Sequence, residues 1–306
     1  MIPQMRNGIL GCLLVALGLS IGVGTAVSGA QSGAEPPQPT GLPDLVMHKI
    51  EQVKVYPWYT NAGKTVRRKW GLRFSSTVDN PGPGHFIIHA HRARVGSPCP
   101  PTEQNGTRCE KGDMTADQVV LLPDGATRTY KHVASLYFDE SHFHWHLRHA
   151  SRYELRTADG RRVVRRDSKT GFCFGDRHPL TGPSHVEYPP LTDGLATCLY
   201  GSTADVAQDG RRALELTEGL SAGYGDDYTS FKDGHPLQGQ ELLLNGLKAG
   251  RYQLINRTNA TGRLHELKRS NDASSVAFSL RWPHGPKARP AVKVLENCGG
   301  KPRCHA

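Results

Sequence analysis

The sequence is poor in the features that would make it a helical bundle, a thiolate-metal protein or a membrane protein. Only 37% of its 306 residues are hydrophobic and 7% aromatic, and mean hydropathy is -0.50, which excludes a bundle of membrane spans. Long stretches with a 3.6-residue apolar period are scarce, which argues against a mostly helical chain. There is no C-x-x-C pair, so a thiolate zinc site is disfavoured, and no H-E-x-x-H, so the helix-borne zinc protease arrangement is missing. Negative charge is the scarcer sign, with 28 Asp and Glu against 38 Lys and Arg and a formal net charge of +10. Such an excess fits nucleic acid, an anionic surface or simple solubility, and charge alone does not choose among them.

What the chain has in quantity is turn-forming residues, 34 Gly and 21 Pro. Between them lie short runs that read as strands: Leu72 to Val78, Phe86 to Arg92, Val119 to Leu122, Ser135 to Phe138, Glu241 to Leu244, Tyr252 to Asn256 and Val276 to Trp282. Tyr153 to Arg156 and Arg162 to Val164 flank Ala158-Asp159-Gly160, a hairpin signature. Short strands separated by Gly and Pro turns predict a mainly β protein, an antiparallel β-sandwich with long loops and little helix.

The N-terminus bears on compartment. Arg6 precedes an uncharged stretch from Gly8 to Val27 and then the small residues Ser28-Gly29-Ala30, the form of a cleavable secretory signal over residues 1–30. Export makes nucleic acid an unsuitable partner and leaves no stable membrane span after cleavage. It predicts a secreted, extracellular protein in which association with an anionic cell wall would use the basic charge. Residues 31–41 read as a flexible leader, 42–282 as one domain, and 283–306 as a Pro- and Gly-rich tail. Cys12 leaves with the signal, and the other six cysteines form an even set suited to an oxidising compartment. Pairing between sequence neighbours is favoured: Cys99 with Cys109, Cys173 with Cys198, and Cys298 with Cys304.

The densest chemistry is Ser141-His142-Phe143-His144-Trp145-His146. In a strand, side chains alternate faces, so His142, His144 and His146 project to one side about 6.5–7 Å apart while Phe143 and Trp145 face the other. Three imidazoles converging on one ion suit copper or zinc. His149 is near in sequence only. His85, His89 and His91 lack an obvious third ligand and read as structural or surface histidines.

In order along the chain, His142-x-His144-Trp145-His146, Tyr153-Glu154-Leu155, Asp159-Gly160, Lys169-Thr170-Gly171-Phe172-Cys173, Gly219-Leu220-Ser221-Ala222-Gly223 and Asp226-Asp227-Tyr228 resemble the catalytic domain of the lysyl oxidases. Leu42-Pro43-Asp44-Leu45-Val46 is similar to the start of that domain, and Leu247 to Leu254 to the strand near its end. The chain departs from the animal pattern at Arg152, where those enzymes have histidine, and at Tyr137-Phe138, which replace a Trp-x-Trp-His segment. The resemblance implies a copper site at His142, His144 and His146. It also implies a lysine tyrosylquinone cofactor made from the chain's own Lys169 and Tyr228, with Cys173–Cys198 bracing the lysine side.

The reaction implied is oxidation of a primary amine, such as a lysine ε-amine, to an aldehyde, with molecular oxygen consumed and ammonia and hydrogen peroxide released. Asp226 and Asp227 stand just before the tyrosine as candidates for the proton-abstracting base, with Asp227 the nearer in sequence. Two alternatives stand beside this reading: a non-catalytic secreted copper-binding or wall-associated protein, and a zinc hydrolase built on the same histidines.

Overall fold

The computed structural model describes residues 39–59, 65–97, 110–140, 144–167, 171–181, 210–232, 235–236 and 240–305. The architecture is mainly β, with antiparallel sheets throughout, as expected. Among the described residues the helical content is a single 3-10 turn at Gly210–Arg212. One compact unit runs from Pro37 to Ala306. The signal-like segment lies outside the described residues, among which no helix is long and apolar enough to cross a membrane.

The longest strand, β3 (Thr65–Asn80), organises the first sheet after β1 (Val46–Met47) and β2 (Glu51–Tyr59). Its first half pairs with β2 and with β15 (Glu241–Leu243), and its second half with β1 and β12 (Tyr224–Tyr228). β10 (His178–Pro179) completes the outer side of β12. A second sheet runs in the order β11 (Glu215–Leu220), β4 (Phe86–His91), β5 (Met114–Leu121), β6 (Thr127–Asp139) and β7 (His144–Leu147). A third runs β18 (Ala291–Cys298), β17 (Ala273–Arg281), β16 (Gly250–Thr258), β8 (Ser151–Thr157) and β9 (Val163–Arg166). β13 (Phe231–Lys232) and β14 (His235–Pro236) form a small ribbon.

Apolar side chains of all three sheets meet in one core, in which Leu72, Phe74, Phe86, Leu136, Trp145, Leu155, Phe172 and Phe278 are essentially inaccessible. Burial of that kind contributes about 1.5–3 kcal/mol per large apolar side chain, so these residues pin the sheets against one another. The β8–β9 turn forms at the predicted place. Asp159 accepts hydrogen bonds from Thr157 Oγ1 and the Arg161 amide, and Gly160 takes φ +69°.

The tail is more ordered than its composition implies. Residues 291–298 form the edge strand β18 on β17, and the Cys298–Cys304 disulfide closes the loop beyond it. Cys304 is fully buried and its backbone is held at both ends by Gln253, whose Oε1 accepts from the Cys304 amide at 3.0 Å and whose Nε2 donates to the Cys304 carbonyl at 2.9 Å. Cys173 is disulfide-bonded as well; its expected partner Cys198, like Cys99 and Cys109, lies outside the described residues.

Candidate functional site

β7 is the edge of its sheet, and its period-two alternation divides its side chains. Trp145 turns one way into the core, against Phe138 at 5.7 Å and under the Arg92 guanidinium at 4.8 Å, with its indole N–H donating to the Gly210 carbonyl. His144 and His146 turn the other way and their Nε2 atoms converge to 2.9 Å. His142, the third member of the predicted triplet, lies outside the described residues.

The far nitrogen of His146 is already engaged. Its Nδ1 is 3.2 Å from Tyr137 Oη and 3.3 Å from Asp139 Oδ2, both on the neighbouring strand β6. A carboxylate there favours a proton on Nδ1, which leaves the Nε2 lone pair facing His144, the arrangement that orients a metal-binding imidazole. Tyr137 is itself fixed by the Arg148 guanidinium over its ring at 4.4 Å. Burial, then Asp139, pushes its hydroxyl up to about 12, so it remains a neutral hydroxyl at physiological pH.

Next to the histidine strand runs the segment Gly171–Phe174. Leu147 and Phe172 exchange backbone hydrogen bonds of 2.8 and 3.2 Å, which makes this segment a partial neighbouring strand of β7. Gly171 crosses the face of Tyr137: a Cβ there would stand 2.7 Å from Tyr137 Cζ, so a side chain is excluded. Glu218, fully buried on β11, accepts the Phe174 amide at 2.8 Å and fixes the other end of the segment.

Tyr228 closes the assembly from β12. Its ring meets Phe172 edge-on at 4.5 Å, and its hydroxyl lies 2.6 Å from the Cys173 carbonyl and 2.7 Å from Asp226 Oδ2. Asp226 and Tyr228 are two apart on one strand and so share a face, whereas Asp227 points to the opposite, exposed side. There Asp227 accepts from Thr229 Oγ1 at 3.0 Å and stands 3.8 Å from His178. Of the two aspartates beside the tyrosine, the structure therefore brings Asp226, not Asp227, to the hydroxyl. Lys169 lies outside the described residues, two positions before Gly171.

One hydroxyl has one hydrogen, and Tyr228 Oη has two oxygen neighbours within hydrogen-bonding range. Both contacts are satisfied if Asp226 carries a proton and donates to Tyr228 while Tyr228 donates to the Cys173 carbonyl. Burial drives Asp226 in that direction, up to about 7, against the opposing effects of the Tyr228 hydrogen bond, of Arg177 at 3.4 Å and of the Gly175 amide. The tyrosine is held far above the usual phenol range by burial and by Asp226. Glu218 is also shifted well up by burial, and one of its oxygens has no hydrogen-bond partner among the described residues.

The other histidines fall outside this assembly. His85 is buried and accepts from the Ala222 amide at 3.1 Å, and burial lowers it to about 4. His89 and His91 stack on each other at 5.9 Å on β4, and His149 follows β7 in a left-handed conformation. Among the described residues the cluster of three metal-type donors is Glu296, Cys298 and Cys304, and its two sulfurs are joined in the tail disulfide.

Asp139 and Glu218 carry no signal in the sequence; Tyr137 stands out there only as a departure from the animal pattern two residues before Asp139, and Gly171 only as a member of the Lys169–Cys173 motif. No protein-family model matches the chain, and no curated protein matches it. The resemblance to lysyl oxidases therefore rests on the motifs themselves.

Proposed function

We propose that the protein is a secreted copper-dependent amine oxidase of the lysyl oxidase type. The observation that carries this reading is the position of residues 171–174, which follow Lys169 in sequence: they lie against Tyr137, which bonds His146, and against Tyr228.

The donor set fits copper. The Nε2 atoms of His144 and His146 face one another 2.9 Å apart, and imidazole nitrogens are donors that copper accepts. His142, His144 and His146 would hold the ion, which when bound supplies the redox chemistry for oxidising a tyrosine ring with dioxygen. Lys169 and Tyr228 would be the precursors of the organic cofactor.

The remaining roles belong to the chain's own groups. Asp139 and Tyr137 hold the His146 tautomer. Phe172 orients the Tyr228 ring and keeps water from one of its faces. Asp226, poised near neutrality beside the Tyr228 hydroxyl, is placed to take and return a proton there at physiological pH. The net reaction consumes one amine, one dioxygen and one water and yields one aldehyde, one ammonia and one hydrogen peroxide. A primary amine such as a lysine side chain is the substrate class, and secretion with retention at an anionic wall is the setting.

Peptide mapping of copper-loaded, aerated protein tests the reading. A cross-linked peptide joining Lys169 to Tyr228, with peroxide released on adding a primary amine and abolished by phenylhydrazine, is the expected result. Two intact peptides together with stoichiometric copper would leave a copper-binding protein without oxidase chemistry, and hydrolytic turnover with zinc would replace both readings.

A further inference from the structure

A second built feature lies away from the histidines, where β6 bulges against β5. Ala116 faces Ala134 and Gln118 faces Tyr130, so one residue, Asp117, stands opposite three, Lys131-His132-Val133. The bulge is held from inside by the Asp117 carboxylate, which accepts from the His132 amide at 2.8 Å and from Lys131 Nζ at 2.7 Å, and His132 is forced to φ +56°. Bulges of this kind redirect side chains and recur beside functional sites.

Opposite the bulge, the irregular segment 259–269 is locked in place by side chains. Gln118 mimics a backbone partner for His265, donating to its carbonyl and accepting from its amide, both at 2.7 Å. The His265 ring stacks on Tyr130 at 3.5 Å. Asn259 holds the Leu264 amide and carbonyl at 3.0 and 2.9 Å.

Between the two walls is a hollow of about 510 Å³, within the usual size range of small-molecule sites. Its charged lining is Lys131, Arg263, Arg269 and Glu266, with His132 and His265 beside them. Both oxygens of the acid are engaged: one Glu266 oxygen accepts from Asn259 Nδ2 and the other from the Leu45 amide at 3.1 Å, and burial raises it to about 7. Both Asp117 oxygens are likewise taken. Arg269 folds over Gly262, which has φ +68° and where a Cβ would overlap the guanidinium; it is exposed, and its five donors form no hydrogen bond or ion pair with a described residue. Asp272 feels the Arg269 charge but feels Arg257 more.

We propose that this hollow binds a phosphate group, free or carried as an ester, with Arg269 as its principal donor. A guanidinium fork matches tetrahedral oxyanions, and a cavity of this size has room for an organic group attached to the phosphate. The site is independent of copper and of the amine oxidase reading.

Titration of the copper-free, full-length mature chain with inorganic phosphate, at ionic strength held constant with chloride, reads this directly by calorimetry. Saturable one-to-one binding is expected, weakened about tenfold by Arg269→Ala, the loss of one charge-assisted fork, and less by Arg269→Lys. Lys293→Ala, which removes an exposed cation of β18, should leave it unchanged. Tighter binding of glycerol phosphate would identify an ester as the ligand, and equal affinity the free ion. Absence of saturable binding, or equal weakening by Lys293→Ala, overturns the proposal.

Discussion

Replacing Asp226 by asparagine isolates a single buried titration. In the folded chain Asp226 ionises near 7, while in the unfolded chain it returns to the ordinary carboxylate range near 4. The unfolded state therefore gives up its proton first. Between about pH 4 and 7 the folded state binds more protons than the unfolded one, and the wild-type chain loses stability as pH rises through that window. Each pH unit there costs about 1.4 kcal/mol, so from pH 5 to beyond pH 7 the Asp226 contribution falls by about 2–3 kcal/mol. Asparagine does not titrate, and its amide can donate to Tyr228 Oη as the protonated carboxyl does. The stability of Asp226→Asn minus that of the wild type should thus grow by about 2–3 kcal/mol between pH 5 and pH 9, a shift of about 5–10 °C in Tm for a domain of this size. Urea denaturation at pH 5, 6, 7, 8 and 9 measures it, on protein made without copper so that Tyr228 is intact. A difference that stays constant across this range would mean that Asp226 is ionised throughout and that the shared-proton arrangement is wrong.

Other expectations follow from single contacts. Tyr137→Phe keeps the ring under Arg148 but removes the hydroxyl 3.2 Å from His146 Nδ1; copper affinity by competition with a chelator should fall about tenfold, and unchanged affinity would remove Tyr137 from the site. Gly171→Val drives a side chain into Tyr137, so it should both destabilise the fold by at least about 1–3 kcal/mol and weaken copper binding; a variant with wild-type melting and affinity would contradict the close approach. Replacing Cys298 and Cys304 by serine opens a loop of sequence separation 6 and should lower stability by about 2 kcal/mol in chemical denaturation. A loss below about 0.5 kcal/mol would show that Gln253 alone secures the tail. The Asp226→Asn variant also reports on the base: if Asp226 moves the proton, kcat/KM for an amine rises through about pH 7 in the wild type, and that limb is missing in Asp226→Asn.

Where local rules act alone, sequence and structure coincide. The β8–β9 turn follows from Asp159 and Gly160, whose side-chain hydrogen bond and positive φ need nothing from the rest of the chain. The strands containing Phe74, Ile88, Leu254 and Val276 carry the apolar residues that the core requires; the last three form near their predicted bounds, while the first extends well before Leu72, to Thr65. The tail strand β18 escaped notice because it is an edge strand: most of its first residues are exposed, Pro290 precedes it, and pairing with β17 rather than an apolar pattern specifies it.

At the site the division is the same. Strand alternation by itself determines that His144 and His146 share one face with Trp145 on the other, because side chains on a pleated strand have period two; that Asp226 rather than Asp227 shares the Tyr228 face follows only once the structure makes Tyr224–Tyr228 a strand. That Tyr137 and Asp139 stand behind His146, that residues 171–174 run between the histidine strand and Tyr228, and that Asp226 is dry enough to hold a proton near neutrality were decided by tertiary structure alone. Those facts depend on which strands become neighbours and on how much water packing removes. Both are properties of contacts between residues far apart in the chain, and no local pattern encodes them.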